Sequence, residues 1–164
     1  MIRKIEEYMK KPYWVIDILP KQVPAMGQGQ YFKIERYFFK EPQRSMIYRK
    51  FSNLLIKLNC YYDLNVVNPL DDGSDSMATE ETQNMTEFSS KLNLSENPRS
   101  ELIEAWLKEG RCIYVVIKSE DAMIGFSGDD HYMTLYHPSE QLLELISSLA
   151  NSEGLFVWQP TNQE

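Results

Sequence analysis

The sequence predicts an α+β fold built on an antiparallel β-meander, flanked by helices on one face. Three observations carry that expectation. Three short apolar runs follow one another at 111–118, 121–126 and 131–136, separated by turn-forming residues. Two leucine-bearing stretches with helical spacing, 98–109 and 138–150, bracket them. The chain of 164 residues is 43% hydrophobic and 25% charged, which is ordinary for a globular protein.

Each element has its own signal. "YWVIDIL" (13–19) reads as a strand, with Trp14, Ile16 and Ile18 opposed to Val15, Asp17 and Leu19. Residues 20–30 read as a loop, because two prolines and two glycines interrupt any period. "YFKIERYFF" (31–39) fits both periods. A strand groups Phe32, Ile34 and Phe38, whereas a helix groups Tyr31, Ile34, Tyr37 and Phe38. Aromatic density favours the strand. Residues 41–59 predict a helix, since Ile47, Phe51, Leu54, Leu55 and Leu58 recur at helical spacing and Pro42 suits a first turn. "YYDLNVV" (61–67) adds a strand, so the N-terminal part is expected as β-β-α-β.

Residues 70–97 carry seven acids against one base, Lys91, and keep neither period. They read as a long acidic loop. After it, Asn97 caps and Pro98 opens a helix that buries Leu102, Ile103, Trp106 and Leu107 and ends at Gly110. The later helix carries Leu142, Leu145, Ile146 and Leu149 on one stripe and stops at Gly154. A short strand at 155–158 closes the chain. The expected organisation is a single domain over 1–164. The alternative is two similar halves, 1–69 and 98–164, joined by the acidic loop. A weak echo supports that alternative, because strand, proline, leucine-rich helix and strand follow in the same order through 31–67 and 131–158.

The register of the meander follows from its turns. With Ser119-Glu120 as a turn, Ile117 faces Ala122, Val115 faces Ile124, and Ile113 faces Phe126. With residues 127–130 as the next turn, Phe126 faces His131, Ile124 faces Met133, and Ala122 faces Leu135. Opposed residues share a face. Ile113, Val115, Ile117, Ala122, Ile124, Phe126, Met133 and Leu135 then form one apolar surface, with His131 at its edge.

Several chemistries find no support. His131 and His137 lie six residues apart on a strand, roughly 20 Å, too far to share a metal ion. "GFSG" (125–128) lacks the spacing and the strand-to-helix setting of a nucleophile elbow. "GQG" (27–29) opens no helix and is no dinucleotide fingerprint. Cys60 and Cys112 form no C-x-x-C motif and read as a reduced cytosolic pair. The N-terminus has no secretory h-region, and no apolar run is long enough to span a membrane. No catalytic residue, metal ligand or cofactor is assigned.

Charge and aromatic content point instead to binding. Residues 1–60 hold 12 Lys/Arg against 5 Asp/Glu, and residues 61–164 hold 5 against 19. The halves attract each other, or one of them faces a charged partner. The second face of the meander carries Cys112, Tyr114, Val116, Met123, Gly125, Tyr132, Thr134 and Tyr136. Tyr114, Met123, Tyr132 and Tyr136 are its candidate partner contacts, unless the N-terminal half covers them. The leading expectation is a small cytoplasmic, bacterial-type, non-catalytic protein-binding module, antitoxin- or immunity-like, whose partner is another protein, basic in charge. One alternative is nucleic-acid binding through the basic aromatic segment 31–57, using Lys33, Arg36, Arg44, Arg49, Lys50 and Lys57. The other is a small enzyme with a site between the halves near His131, His137 and Tyr136.

Overall fold

Six short segments, most of them rich in apolar and aromatic residues, assemble into one antiparallel sheet in the computed structural model, which describes residues 2–23, 31–67, 103–105, 107–110, 112–127 and 130–161. The elements in order are α1 (Ile2–Tyr8), β1 (Tyr13–Asp17), α2 (Tyr31–Phe38), α3 (Gln43–Leu58) and β2 (Leu64–Val67). Then come β3 (Ile113–Ile117), a 3₁₀ turn (Lys118–Glu120), β4 (Ala122–Phe126), β5 (Tyr132–Tyr136), α4 (Glu140–Ser152) and β6 (Phe156–Trp158). The acidic stretch 70–97 and the first residues of the helix expected at 98–109 lie outside the described residues. Residues 103–105 and 107–108 are helical, in agreement with that helix.

The strands lie in the order β2-β3-β4-β5-β1-β6. The meander β3-β4-β5 forms the centre. Strand β1, from the N-terminal part, sits between β5 and β6, so strands from both parts of the chain interleave in one sheet. The α+β class is as the sequence predicts.

Between β3 and β4 the register matches expectation, pairing Ile113 with Phe126, Val115 with Ile124 and Ile117 with Ala122. Between β4 and β5 it differs by two residues. Ile124 pairs with Leu135 and Phe126 with Met133, and His131 lies before β5 rather than opposite Phe126. The turn closed by the Asp130 amide on the Ser127 carbonyl at 3.0 Å leaves His131 as a further connecting residue. Side chains alternate with a period of two, so a slip of two keeps each one on its predicted face.

That face is the core. Ile113, Val115, Ile117, Ala122, Ile124, Phe126, Met133 and Leu135 are all buried in one cluster with Ile16, Leu64 and Val66. Helix α3 covers them with Ile47, Phe51, Leu54, Leu55 and Leu58, and α4 with Leu142, Ile146 and Ala150. Each large apolar side chain so buried contributes about 1.5–3 kcal/mol. The Tyr48 and Phe51 rings meet Phe126 at 5.7 and 5.3 Å. Helix α4 begins where Ser139 Oγ accepts the Leu142 amide at 3.2 Å, and the chain turns beyond it at Gly154, φ 68°. Among the described residues no helix is long and apolar enough to cross a membrane.

Two further expectations are corrected. Residues 31–38 form helix α2, not a strand, so the N-terminal part runs α-β-α-α-β. Aromatic residues enter a strand or a helix according to what they pack on. Here Phe38 packs against the core cluster while Arg36 and Tyr37 face solvent, and Gln43 Nε2 donates to the Tyr37 hydroxyl at 2.8 Å. The helices are also not confined to one face. Ile5 and Tyr8 of α1 pack on the second face of the sheet, over Met123.

Candidate functional site

The second face is built by alternation. Across the sheet it presents Tyr114 and Val116 of β3, Met123 and Gly125 of β4, and Tyr132, Thr134 and Tyr136 of β5. Their cross-strand partners extend it through Tyr13, Val15 and Asp17 of β1 to Phe156 and Trp158 of β6. Helix α1 covers the part above β4. Ile5, Tyr8 and Met123 are buried together, with Tyr114, Val116 and Tyr136 packed around them. Met123 is therefore not an accessible contact. It supports the face from beneath α1.

Gly125 allows two rings to close over the centre of the sheet. A methyl group added there would lie 3.4 Å from atoms of both Tyr114 and Tyr136. A larger side chain would displace them.

A polar cluster pins α1 in place. Asp121, in the left-handed region at φ 47°, ends the tight β3–β4 connection. Its carboxylate accepts from the Tyr8 hydroxyl at 2.8 Å and from Lys11 Nζ at 2.7 Å. These partners hold Asp121 below the usual carboxylate range, the Lys11 bond most strongly. Burial and the Asp121 bond push the Tyr8 phenol up to about 12. His137 joins from the end of β5, its Nδ1 3.2 Å from the Asp121 carbonyl, and its amide donates to the Pro12 carbonyl at 2.9 Å.

Beyond α1 the face is aromatic and open among the described residues. Tyr13 is 42% exposed, Tyr132 39% and Phe156 39%. They lie on the three neighbouring strands β1, β5 and β6. The Tyr13 and Tyr136 rings stand 5.9 Å apart. Trp158 donates from Nε1 to the Leu19 carbonyl at 3.1 Å, which ties β6 to the exit of β1. Burial and the neighbouring Asp130 carboxylate push the Tyr132 phenol up.

At one end of this strip lies a cleft of about 40 Å³, lined by Asp17, Glu35, Phe38, Asp130, His131 and Tyr132. Burial pushes the Asp17 carboxyl up to about 6, although it accepts the Leu19 amide at 3.1 Å. His131 is 8% exposed, and among the described residues no side chain or backbone group stands within strict hydrogen-bond limits of either buried ring nitrogen. The Phe39 ring lies on it at 3.6 Å between centroids, and Phe38 meets it edge-on at 6.3 Å. Burial lowers its pKa. The Glu35 carboxylate and backbone beside the ring oppose that shift. His137, at the other end of β5, belongs to the α1 anchor. The two histidines are therefore held in separate environments, and Tyr136 is packed near Tyr13 and α1 rather than in the cleft. An acid inside an apolar strand was the available signal for Asp17. No local pattern marks Glu35, which only the path of α2 brings to the cleft.

The basic residues of 31–57 mostly face the C-terminal part of the chain. Arg44 stacks on Tyr48, donates to its hydroxyl at 2.9 Å and reaches the Lys108 carbonyl at 3.1 Å. Arg49 pairs with Glu104 at 3.6 Å, and Lys50 donates to the Gly154 carbonyl at 3.4 Å. Lys57 donates to Ser152 Oγ at 2.8 Å and forms an ion pair with Glu153. Arg36 is exposed, and the Lys33 side chain lies outside the described residues. Cys60 and Cys112 are free thiols. Among the described residues no three His, Cys, Asp or Glu side chains converge closely enough to hold a metal ion. No protein-family model, curated protein or solved structure matches this chain.

Proposed function

We propose that the chain is a non-catalytic protein-binding module that holds a basic partner protein against the aromatic strip of Tyr13, Tyr132 and Phe156, with Tyr136 and Tyr114 behind it. The observation that carries this reading is the exposure of three large aromatic side chains on adjacent strands of one sheet. Tyrosine offers contact area at small entropic cost, and interfaces are enriched in it. Asp17 and Asp130 flank Tyr132, and the chain carries a net charge of −7, so a cationic partner is favoured. Cations within 43–57 that engage the chain's own C-terminal part are correspondingly less available to phosphates. Antitoxin and immunity proteins are the functional type that this size and charge suggest. Two free thiols suit a reducing bacterial cytoplasm.

Affinity capture from a native lysate tests the reading. The expected result is one basic protein at equal stoichiometry, retained after nuclease treatment and lost when Tyr13 and Tyr132 are both changed to Ser. Loss must occur with the thermal midpoint of the variant unchanged. Capture that survives the double substitution, or the absence of any stoichiometric protein, refutes it.

A further inference from the structure

Helix α1 borders the aromatic strip, and its attachment is small. Its 7 residues are too few for a helix to persist alone in water, so α1 holds its shape only while docked. Its seat is Ile5 and Tyr8 on Met123, a buried cluster separate from the main core. The core-facing side chains of the meander lie on the opposite face of the sheet, where α3 and α4 cover them.

What α1 covers continues the surface that is open beside it. Tyr114, Val116 and Tyr136 pack round the seat. The Tyr136 ring stands 5.9 Å from that of exposed Tyr13. Covered and open parts thus form one apolar and aromatic face. Two kinds of contact hold α1 there. Ile5 and Tyr8 supply the apolar pair. The Tyr8 hydroxyl and Lys11 Nζ both meet the Asp121 carboxylate, at 2.8 and 2.7 Å. The Asp121 side chain is 59% exposed, so an incoming cation reaches it. Residues 2–11 carry four cations against two acids. A basic, amphipathic segment therefore already occupies part of the face.

We propose that α1 is a displaceable strap, and that a basic amphipathic helix of the partner takes its place, setting apolar side chains on Met123 and a lysine on Asp121. The inference rests on reading the strip as a docking surface and names the kind of segment that docks. The closed strap competes with the partner, because a tethered segment is present at an effective concentration of roughly millimolar. It lowers the affinity of any ligand that needs the whole face, in proportion to the fraction of molecules left open. A partner must then outcompete α1 in its apolar and its cationic contacts together, which makes the strap a filter for specificity.

The test needs only the purified full chain and a synthetic peptide of residues 1–12, so its outcome is independent of partner capture. The peptide is titrated into isotope-labelled chain and followed by NMR. The expected result is saturable movement of the Met123 methyl signal, with faster hydrogen exchange in residues 2–8 and unchanged exchange in β4 and β5. A chain carrying Ile5→Ser and Tyr8→Ser, whose own strap is weakened, binds the peptide about tenfold or more tightly than the parent does. A peptide carrying Lys11→Glu binds about tenfold or more weakly, because it sets a carboxylate against Asp121. Tyr8→Phe in the chain keeps the ring and removes only the hydroxyl, and its affinity lies between those of the parent and the double variant. This milder variant decides the matter if the double variant fails to fold. The strap is refuted if the peptide moves Met123 in none of the chains, if weakening the chain's own α1 leaves the affinity unchanged, or if the Lys11→Glu peptide binds as well as the original.

Discussion

Asp17 and His131 sit beside one cleft and pull the pH dependence of stability in opposite directions. The folded-state pKa of Asp17 is raised, to about 6. Its contribution is therefore full below the unfolded value, about 3.9, and is lost as pH rises through about 6. His131 is depressed by burial, so its contribution is full above about 6.5 and is lost as pH falls through its folded value. Asp17→Asn removes the first effect and leaves the second. The amide oxygen still accepts the Leu19 amide. We expect the variant to be more stable than the parent at pH 7.5, by up to about 3 kcal/mol, and nearly equal to it at pH 4. Urea denaturation at the two pH values checks this, and equal stabilities at both would remove burial of the carboxylate as a cost. The residue scale was partly legible in sequence. The alternation of 13–19 exposed Asp17 as an acid among apolar residues, and the meander placed His131 at an edge. Their meeting with Glu35 was not legible, because it depends on the tertiary path of α2.

At the scale of elements, legibility followed the length and purity of the period. Helices α3 and α4 have 16 and 13 residues, enough turns for a repeated apolar stripe, and both were readable. Helix α1 has 7 residues and α2 has 8, too few for the period to compete with local composition. The faces of the meander were readable while the β4–β5 pairing was not, for a single reason. Alternation fixes parity alone, so a slip of two residues leaves no trace in the hydrophobic pattern. Caps give a sharper local signal. Ser139 Oγ accepts the Leu142 amide at 3.2 Å and donates to Glu120 at 2.6 Å, which joins the start of α4 to the β3–β4 connection. Ser139→Ala loses both bonds and is expected to cost about 1–2 kcal/mol. Ser139→Asp restores the cap but sets a carboxylate against Glu120. It should recover less than the full loss, and chemical denaturation of the three proteins measures the order.

At the scale of the whole molecule, the split between a basic N-terminal part and an acidic remainder is partly satisfied inside the protein. The contacts that do so differ greatly in environment, and that difference decides which of them hold the fold. Glu153 is 12% exposed at its side chain and receives Lys57 together with Asn53 Nδ2 at 3.1 Å. Burial alone would raise its pKa, but the Lys57 and Asn53 bonds outweigh burial and hold it below the usual range. Its contribution is thus present above the unfolded value and is lost as pH falls through the folded one. Arg49 is 71% exposed and meets Glu104 at 3.6 Å, a geometry that solvent screens. Glu153→Ala is therefore expected to cost about 2 kcal/mol, by removing charged bonds that link α3 to the end of α4. Arg49→Ala should stay within about 0.5 kcal/mol of the parent. Raising the salt concentration should erase what small effect Arg49→Ala has and leave most of the Glu153→Ala loss, because partly buried pairs are screened less. Denaturation of both variants at low and high salt separates two ways in which unlike halves can adhere. Equal losses that vanish together in salt would mean that a diffuse field across the molecule holds the halves. Unequal losses, with the Glu153 loss persisting, place the adhesion in the few contacts between α3 and the end of α4.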